Sequence, residues 1–163
     1  MRQPLLELAF QPLDSSDETF AIGLARHVFA AWSRDAGRTA FAMLRAPGHV
    51  AEVASTAGER LGFYVLSSRR LGRPFGPIVN PVVAHLDAIA VHPRAEGQGV
   101  GGALLEQAER RARALGAVVM SLTTAVGNSR AQRLFARHGF LRTMKTSRAY
   151  ANDEDAYEMF KAL

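Results

Sequence analysis

Apolar positions along the chain switch between a helical and a strand period, and the switches divide it into alternating helix and strand segments. Residues 5–10 form a short apolar run stopped by Pro12, which predicts an edge strand. Asp14, Ser15, Ser16 and Asp17 supply capping side chains ahead of an amphipathic stretch reaching Trp32, with Phe20, Leu24, Val28 and Phe29 at helical spacing. A second helix is predicted over residues 37–45. It ends before Pro47, because a residue preceding proline disfavours helical angles. Residues 50–55 and 61–66 flank Thr56-Ala57-Gly58-Glu59, a strand–turn–strand signal, and a loop rich in Gly, Pro and Arg covers residues 68–81.

Val82–Val91 reads as a long strand whose alternation places His85, Asp87, Ile89 and Val91 on one face. A glycine cluster follows, then a helix with Leu104, Leu105, Ala108, Ala112 and Leu115 as its apolar stripe. Glu106/Arg110 and Glu109/Arg113 stand at ion-pair spacing on that helix, and Gly116 closes it. Residues 118–123 form another buried strand. Asn128 and Ser129 cap a short helix carrying Ala131, Leu134 and Phe135, ended by Gly139, and a hairpin-like tail finishes the chain. Antiparallel hairpins come first and a strand–helix–strand crossover second, which implies a mixed α/β sheet with one parallel pair.

Composition narrows the classes without selecting one. The 163 residues suit one domain, 1–163, and 48% apolar with 21% charged residues is the balance of a globular chain. Cysteine is absent, which excludes disulfides, thiolate metal sites and a cysteine nucleophile. The five histidines show no ligand spacing, so no metal is expected. With no long apolar run and no signal-peptide core at Met1-Arg2-Gln3-Pro4, the expectation is a soluble, cytoplasmic protein without a membrane partner. The net charge of +5 attracts anions, but the arginines are scattered, which argues against nucleic acid.

Gly97, Gly99, Gly101 and Gly102, with Gln98 and Val100 between them, separate a strand from the first turn of a helix. Amides without side chains around them can close on phosphate oxygens, and the positive helix end favours the same charge. The spacing Gly97-x-Gly99-x-x-Gly102 also spells a dinucleotide fingerprint. That motif wants its turn directly after the strand and an acid about 20 residues on, and neither is present. No Gly-Lys-Ser/Thr follows, so a P-loop is excluded, and a ligand-free glycine turn stays as the plain alternative.

Val91-x-Pro93 followed by Glu96-Gly97-Gln98-Gly99-Val100-Gly101 resembles the acetyl-CoA signature of the GCN5-related N-acetyltransferase (GNAT) superfamily. Asn128-x-x-Ala131-x-x-Leu134-Phe135-x-x-x-Gly139-Phe140 resembles its second signature. The resemblance implies one α/β domain with a twisted, mostly antiparallel sheet of six or seven strands, a central splayed parallel pair and about four helices. It further implies an acetyl-CoA-dependent N-acetyltransferase acting by direct attack in a ternary complex. The pantetheine arm would pair with the backbone at Ile89 and Val91, around Ala90; the pyrophosphate would lie on the amides of residues 97–102; Asn128 would meet the cofactor. The tail Glu154-Asp155-Ala156-x-x-Met159 resembles the branch that acetylates ribosomal-protein N-termini, although Thr123 stands where that branch carries its base. Two further departures are Glu96, where Arg or Gln is usual, and Phe135, where many members carry a proton-donating Tyr.

Acyl transfer needs a neutral amine. A lysine-like amine is neutral about once in a thousand molecules near pH 7.4, a handicap of about 4 kcal/mol that a base offsets. His85 and Asp87 are the candidate bases; His85 has the better intrinsic pKa, and Asp87 would need burial to raise its own. Either one is equally compatible with a structural role, and Tyr150 and Tyr157 are candidate proton sources with packing as the plainer reading. Arg69, Arg70 and Arg73 could select an acidic acceptor or simply coat a solvated hairpin tip. A small-molecule or peptide amine is the expected acceptor partner, and pairing through the last strands is a route to a homodimer. A non-catalytic acyl-CoA sensor on the same fold is the second reading.

Overall fold

The computed structural model describes residues 7–163. Along the chain run β1 (Ala9–Pro12), α1 (Glu18–Val28), α2 (Ala36–Arg45), β2 (His49–Thr56), β3 (Glu59–Arg70) and β4 (Val82–Val91). Then come α3 (Val100–Ala114), β5 (Ala117–Ala125), α4 (Ser129–Arg137), β6 (Leu141–Thr146) and β7 (Ala156–Ala162). The strands form one seven-stranded sheet in the order β1-β2-β3-β4-β5-β7-β6. Every neighbouring pair is antiparallel except β4 with β5, the pair that the crossover through α3 makes parallel.

The expected edge strand is present as β1 but lies further along the chain: Glu7 and Leu8 are outside it, Pro12 is its last residue rather than its stop, and Leu5 and Leu6 lie outside the described residues. The first helix stops at Val28, four residues short of Trp32, and β3 continues to Arg70, so Ser68, Arg69 and Arg70 belong to a strand rather than a loop. The stripe on α3 ends sooner than its spacing suggests: Leu104, Leu105, Ala108 and Ala112 are buried, whereas Leu115 caps the helix and is exposed. Of the two expected ion pairs, Glu109–Arg113 forms at 3.6 Å. Arg110 instead donates to Gln107 Oε1, and Glu109 turns inward to accept Lys161 Nζ of β7 at 2.8 Å.

Two apolar clusters lie on opposite faces of the sheet. Tyr64, Leu66, Leu86, Met120 and Leu122 pack with α3 and with Phe135 of α4. Phe63, Val65 and Ala90 pack with Ala21, Leu24 and Ala25 of α1 and Ala40 of α2. Each fully buried leucine or phenylalanine contributes about 1.5–3 kcal/mol, so the two layers clamp the sheet from both sides. At Gly62 any Cβ would meet Ala90 O at 2.5 Å, which is why β3 carries a glycine where it presses on β4.

The first cluster holds a polar core. Tyr64 Oη donates to Glu52 of β2, whose carboxylate also accepts Gln107 Nε2 at 3.0 Å and faces Arg111 Nε at 3.3 Å. Burial, then the bond to Glu52, push the Tyr64 phenol above its ordinary value. The unfolded chain therefore ionises first, near pH ~10, and folding stability from this residue is whole below that pH and lost as pH rises further. Urea unfolding is expected to show stability falling above pH ~10, with a shallower alkaline slope in Tyr64→Phe. An identical slope in that variant would remove Tyr64 from the explanation.

Candidate active site

The site forms where the parallel pair comes apart. β4 and β5 are paired from Val82/Ala117 to Leu86/Leu122 and no further. Beyond that point β4 stays with β3, and Thr123, Thr124 and Ala125 of β5 stay with β7, so a gap opens between them. The divergence starts at a β-bulge: Val65 faces Ala88 and Leu66 faces Leu86, which leaves Asp87 as an extra residue in β4.

That bulge overturns the single face expected for His85, Asp87, Ile89 and Val91. Leu86 packs in the cluster around α3, and so do Ile89 and Val91. Ala88 and Ala90 face the α1–α2 side, because one added residue shifts the alternation by one. Asp87 lines a cavity on the α1–α2 side together with Thr39, Ala40 and Met43 of α2. His85 lines neither of the two cavities of this region; its Nδ1 is hydrogen-bonded to Ser121 Oγ of β5 at 2.9 Å. His49 of β2 stands behind Asp87, with Nε2 3.8 Å from Oδ2. Among the described residues, Asp87 Oδ2 and His49 Nδ1 are buried without a hydrogen-bond partner.

Adjoining that cavity, and sharing Phe29, Trp32, Ile89, Asn128, Ala131 and Phe135 with it, is a larger groove of about 790 Å³. Its floor is Ile89 and Val91 of β4, its far wall is Ala131, Leu134 and Phe135 of α4, and its end is the glycine turn. His92 N–H donates to Leu61 O across β3, so alternation turns the N–H and C=O groups of Ile89 and Val91 towards the gap. Gly97 and Gly99 have φ of 73° and 84°, left-handed values that a side chain would strain, and a Cβ on either would meet nothing within 4 Å. Among the described residues, no N–H from Gly97, Gln98, Gly99, Val100, Gly101 or Gly102 donates to a protein acceptor; the first amide to do so is Ala103, to Gly99 O. The turn is an open cradle of unpaired donors at a helix N-terminus, which fits a diphosphate.

Asn128 lines both cavities. Its Oδ1 caps α4 by accepting from Ala131 N at 3.2 Å, so the capping role read from the sequence is realised. Glu96 lines the groove, and Arg130 of α4 covers its charge at 2.6 Å. Arg137 and His138 add further nitrogen groups to the same wall. Phe135 is buried edge-on against Phe140, with ring centroids 6.0 Å apart. Arg69, Arg70 and Arg73 line neither cavity.

Sequence reasoning missed His49, Trp32 and Glu154. Trp32 lines both cavities and donates from Nε1 to Glu154 Oε2 at 2.9 Å. Glu154 also accepts from Gly127 N and from Asn152 Nδ2, and Asn152 Nδ2 reaches Ala31 O at 2.9 Å. The connection between β6 and β7 is thereby tied to the connection between α1 and α2. Tyr150, on that strap, lines the Asp87 cavity; its phenol pKa is pushed up by burial and then by Glu154, so it stays neutral. No local periodicity marks these residues, because each acts through a partner distant in sequence.

Residues 12–140 match the acetyltransferase (GNAT) family, and the chain belongs to it. The family's acyl donor is acetyl-CoA, and the cradle and groove described above fit that group. The fold is similar to that of Arabidopsis thaliana NAA60 in complex with acetyl-CoA, with TM-score 0.81 and 16% identity over 96% of this chain and 98% of that one. It is also similar to the ribosomal-protein-S18-alanine N-acetyltransferase from Escherichia coli, with TM-score 0.75 and 24% identity over 95% and 93%. The IAA acetyltransferase from Bacillus cereus gives TM-score 0.75 at 16% identity over 96% and 100%. No curated protein matches the chain by sequence. Among the described residues no helix is long and apolar enough to cross a membrane, and no cluster of three His, Asp or Glu side chains could hold a metal ion.

Proposed function

We propose that residues 1–163 act as one domain that transfers the acetyl group of acetyl-CoA to a primary amine by direct attack in a ternary complex. The observation that carries this reading is the splayed gap, with unpaired amides at its groove end and the Asp87 carboxylate on its opposite side. Bound acetyl-CoA supplies a thioester whose acyl carbon is open to attack. The N–H groups of residues 97–102 hold the diphosphate, and the outward backbone groups of Ile89 and Val91 align the pantetheine arm alongside Ala90. Asn128 meets the arm from α4.

Asp87 is the base. It takes one proton from the ammonium, the freed nitrogen pair forms the N–C bond, the nitrogen releases its second proton to water, and the C–S bond breaks with its electrons on sulfur. Phe135 has no proton to give, so the thiolate leaves as such and takes a proton from water, which its pKa of about 8.5 allows. The bond from His85 to Ser121 supports a structural role for that histidine. Phe135 also keeps alive the reading of an acyl-CoA sensor, which binds without turnover. The discriminating assay follows thiol release from acetyl-CoA over a panel of amines: amine-dependent release supports transfer, and tight binding with no release supports the sensor.

Glu96 opposes the diphosphate, and Arg130 compensates for it. Glu96→Gln removes the carboxylate and frees Arg130, so acetyl-CoA is expected to bind roughly two- to fivefold tighter, the size usual for an exposed pair. Calorimetry at low salt checks it, and weaker binding in Glu96→Gln would contradict this role.

A further inference from the structure

The acceptor class is legible in the Asp87 cavity, granted the transferase reading above. We infer that the acceptor is a small free amine with one positive charge and a compact apolar body. Three observations carry this.

The cavity walls are mainly carbon. Phe29, Trp32, Ala36, Ala40, Met43 and Leu122 are among them, and among the described residues Asp87 is the only acidic or basic side chain in the lining. The nearby Glu154 is spent on Trp32, Gly127 and Asn152, and does not line the cavity. A second ammonium, as in a polyamine, would be buried without a partner, and among the described residues no Arg, Lys or His lines the cavity to meet an acceptor carboxylate.

The cavity is also small. Its volume of about 220 Å³ lies below the roughly 300–1,000 Å³ of sites that take drug-sized ligands. Finally, it is bridged. The bonds from Trp32 to Glu154 and from Asn152 to Ala31 join the two connections that carry its lining residues Trp32 and Tyr150, which narrows the room for an extended peptide or a lysine on a folded protein.

The test compares isopentylamine and 2-phenylethylamine with spermidine, glutamate and an unblocked tetrapeptide. Two readouts are taken on the full chain: thiol release from acetyl-CoA, and calorimetric binding of each amine to the protein saturated with CoA. The two apolar amines are expected to exceed the other three at least tenfold in kcat/KM and in affinity. In Asn152→Ala, which loosens the bridge, the tetrapeptide's disadvantage is expected to shrink at least threefold. Spermidine, glutamate or the tetrapeptide matching or surpassing the apolar amines overturns the inference, as does failure of both apolar amines to bind or react. Selective binding of the apolar amines with no thiol release keeps the acceptor class and defeats the transferase reading instead.

Discussion

Replacing Asp87 with asparagine is expected to lower kcat by about 10²–10³ while leaving acetyl-CoA affinity within about twofold of the parent. Asparagine keeps the size and polarity of the side chain but has no basic oxygen. The proton of the incoming ammonium then has no acceptor in a cavity where, among the described residues, Asp87 is the only acidic or basic side chain. A pH profile sharpens the result. If Asp87 takes the proton, the residual activity of Asp87→Asn should climb with pH as the free amine fraction rises, because the amine must then arrive neutral. His85→Gln is the matching control: its ring bonds Ser121 outside both cavities, so it should change stability more than kcat. The reverse ordering of the two variants would move the base to His85.

Gly99→Val is expected to weaken acetyl-CoA binding roughly 30- to 100-fold, since several helix-terminal donors act together there. Gly99 caps α3 with φ of 84°, a conformation that costs an L-residue about 1–2 kcal/mol and a β-branched one more. Valine would either push the turn out of that conformation or stand over the amides proposed to hold the diphosphate. Gly58 has φ of 80°, equal open space and a position in the β2–β3 turn away from the groove. Gly58→Val therefore carries a similar backbone strain and should leave acetyl-CoA binding unchanged. Equal losses in the two variants would assign the effect to general destabilisation rather than to the cradle.

Much of this architecture is legible in the sequence. Val82–Val91 is an apolar strand broken by His85 and Asp87 and bounded by Pro81 and Pro93, and its limits follow from the sequence alone. The cradle was equally legible, because four glycines in six residues before a helix leave few structural explanations. What escaped depends on geometry that no period encodes. The bulge at Asp87 adds one residue and reverses the alternation, so Asp87 keeps to the α1–α2 side while Ile89 and Val91 turn to α3. The strap closed by Glu154 and Asn152 unites residues far apart in the chain, and the burial of Glu109 follows from Lys161 arriving on β7. Long-range pairs of polar side chains leave no mark on local hydrophobic spacing.

The most direct test is a crystal structure of the protein with acetyl-CoA. The expected result is a diphosphate held by N–H groups of residues 97–102, the pantetheine arm between β4 and β5 beside Ile89 and Val91, and the thioester at the gap facing the Asp87 cavity. Acetyl-CoA lying outside the gap, or a glycine turn whose amides bond to protein in the complex, would contradict it.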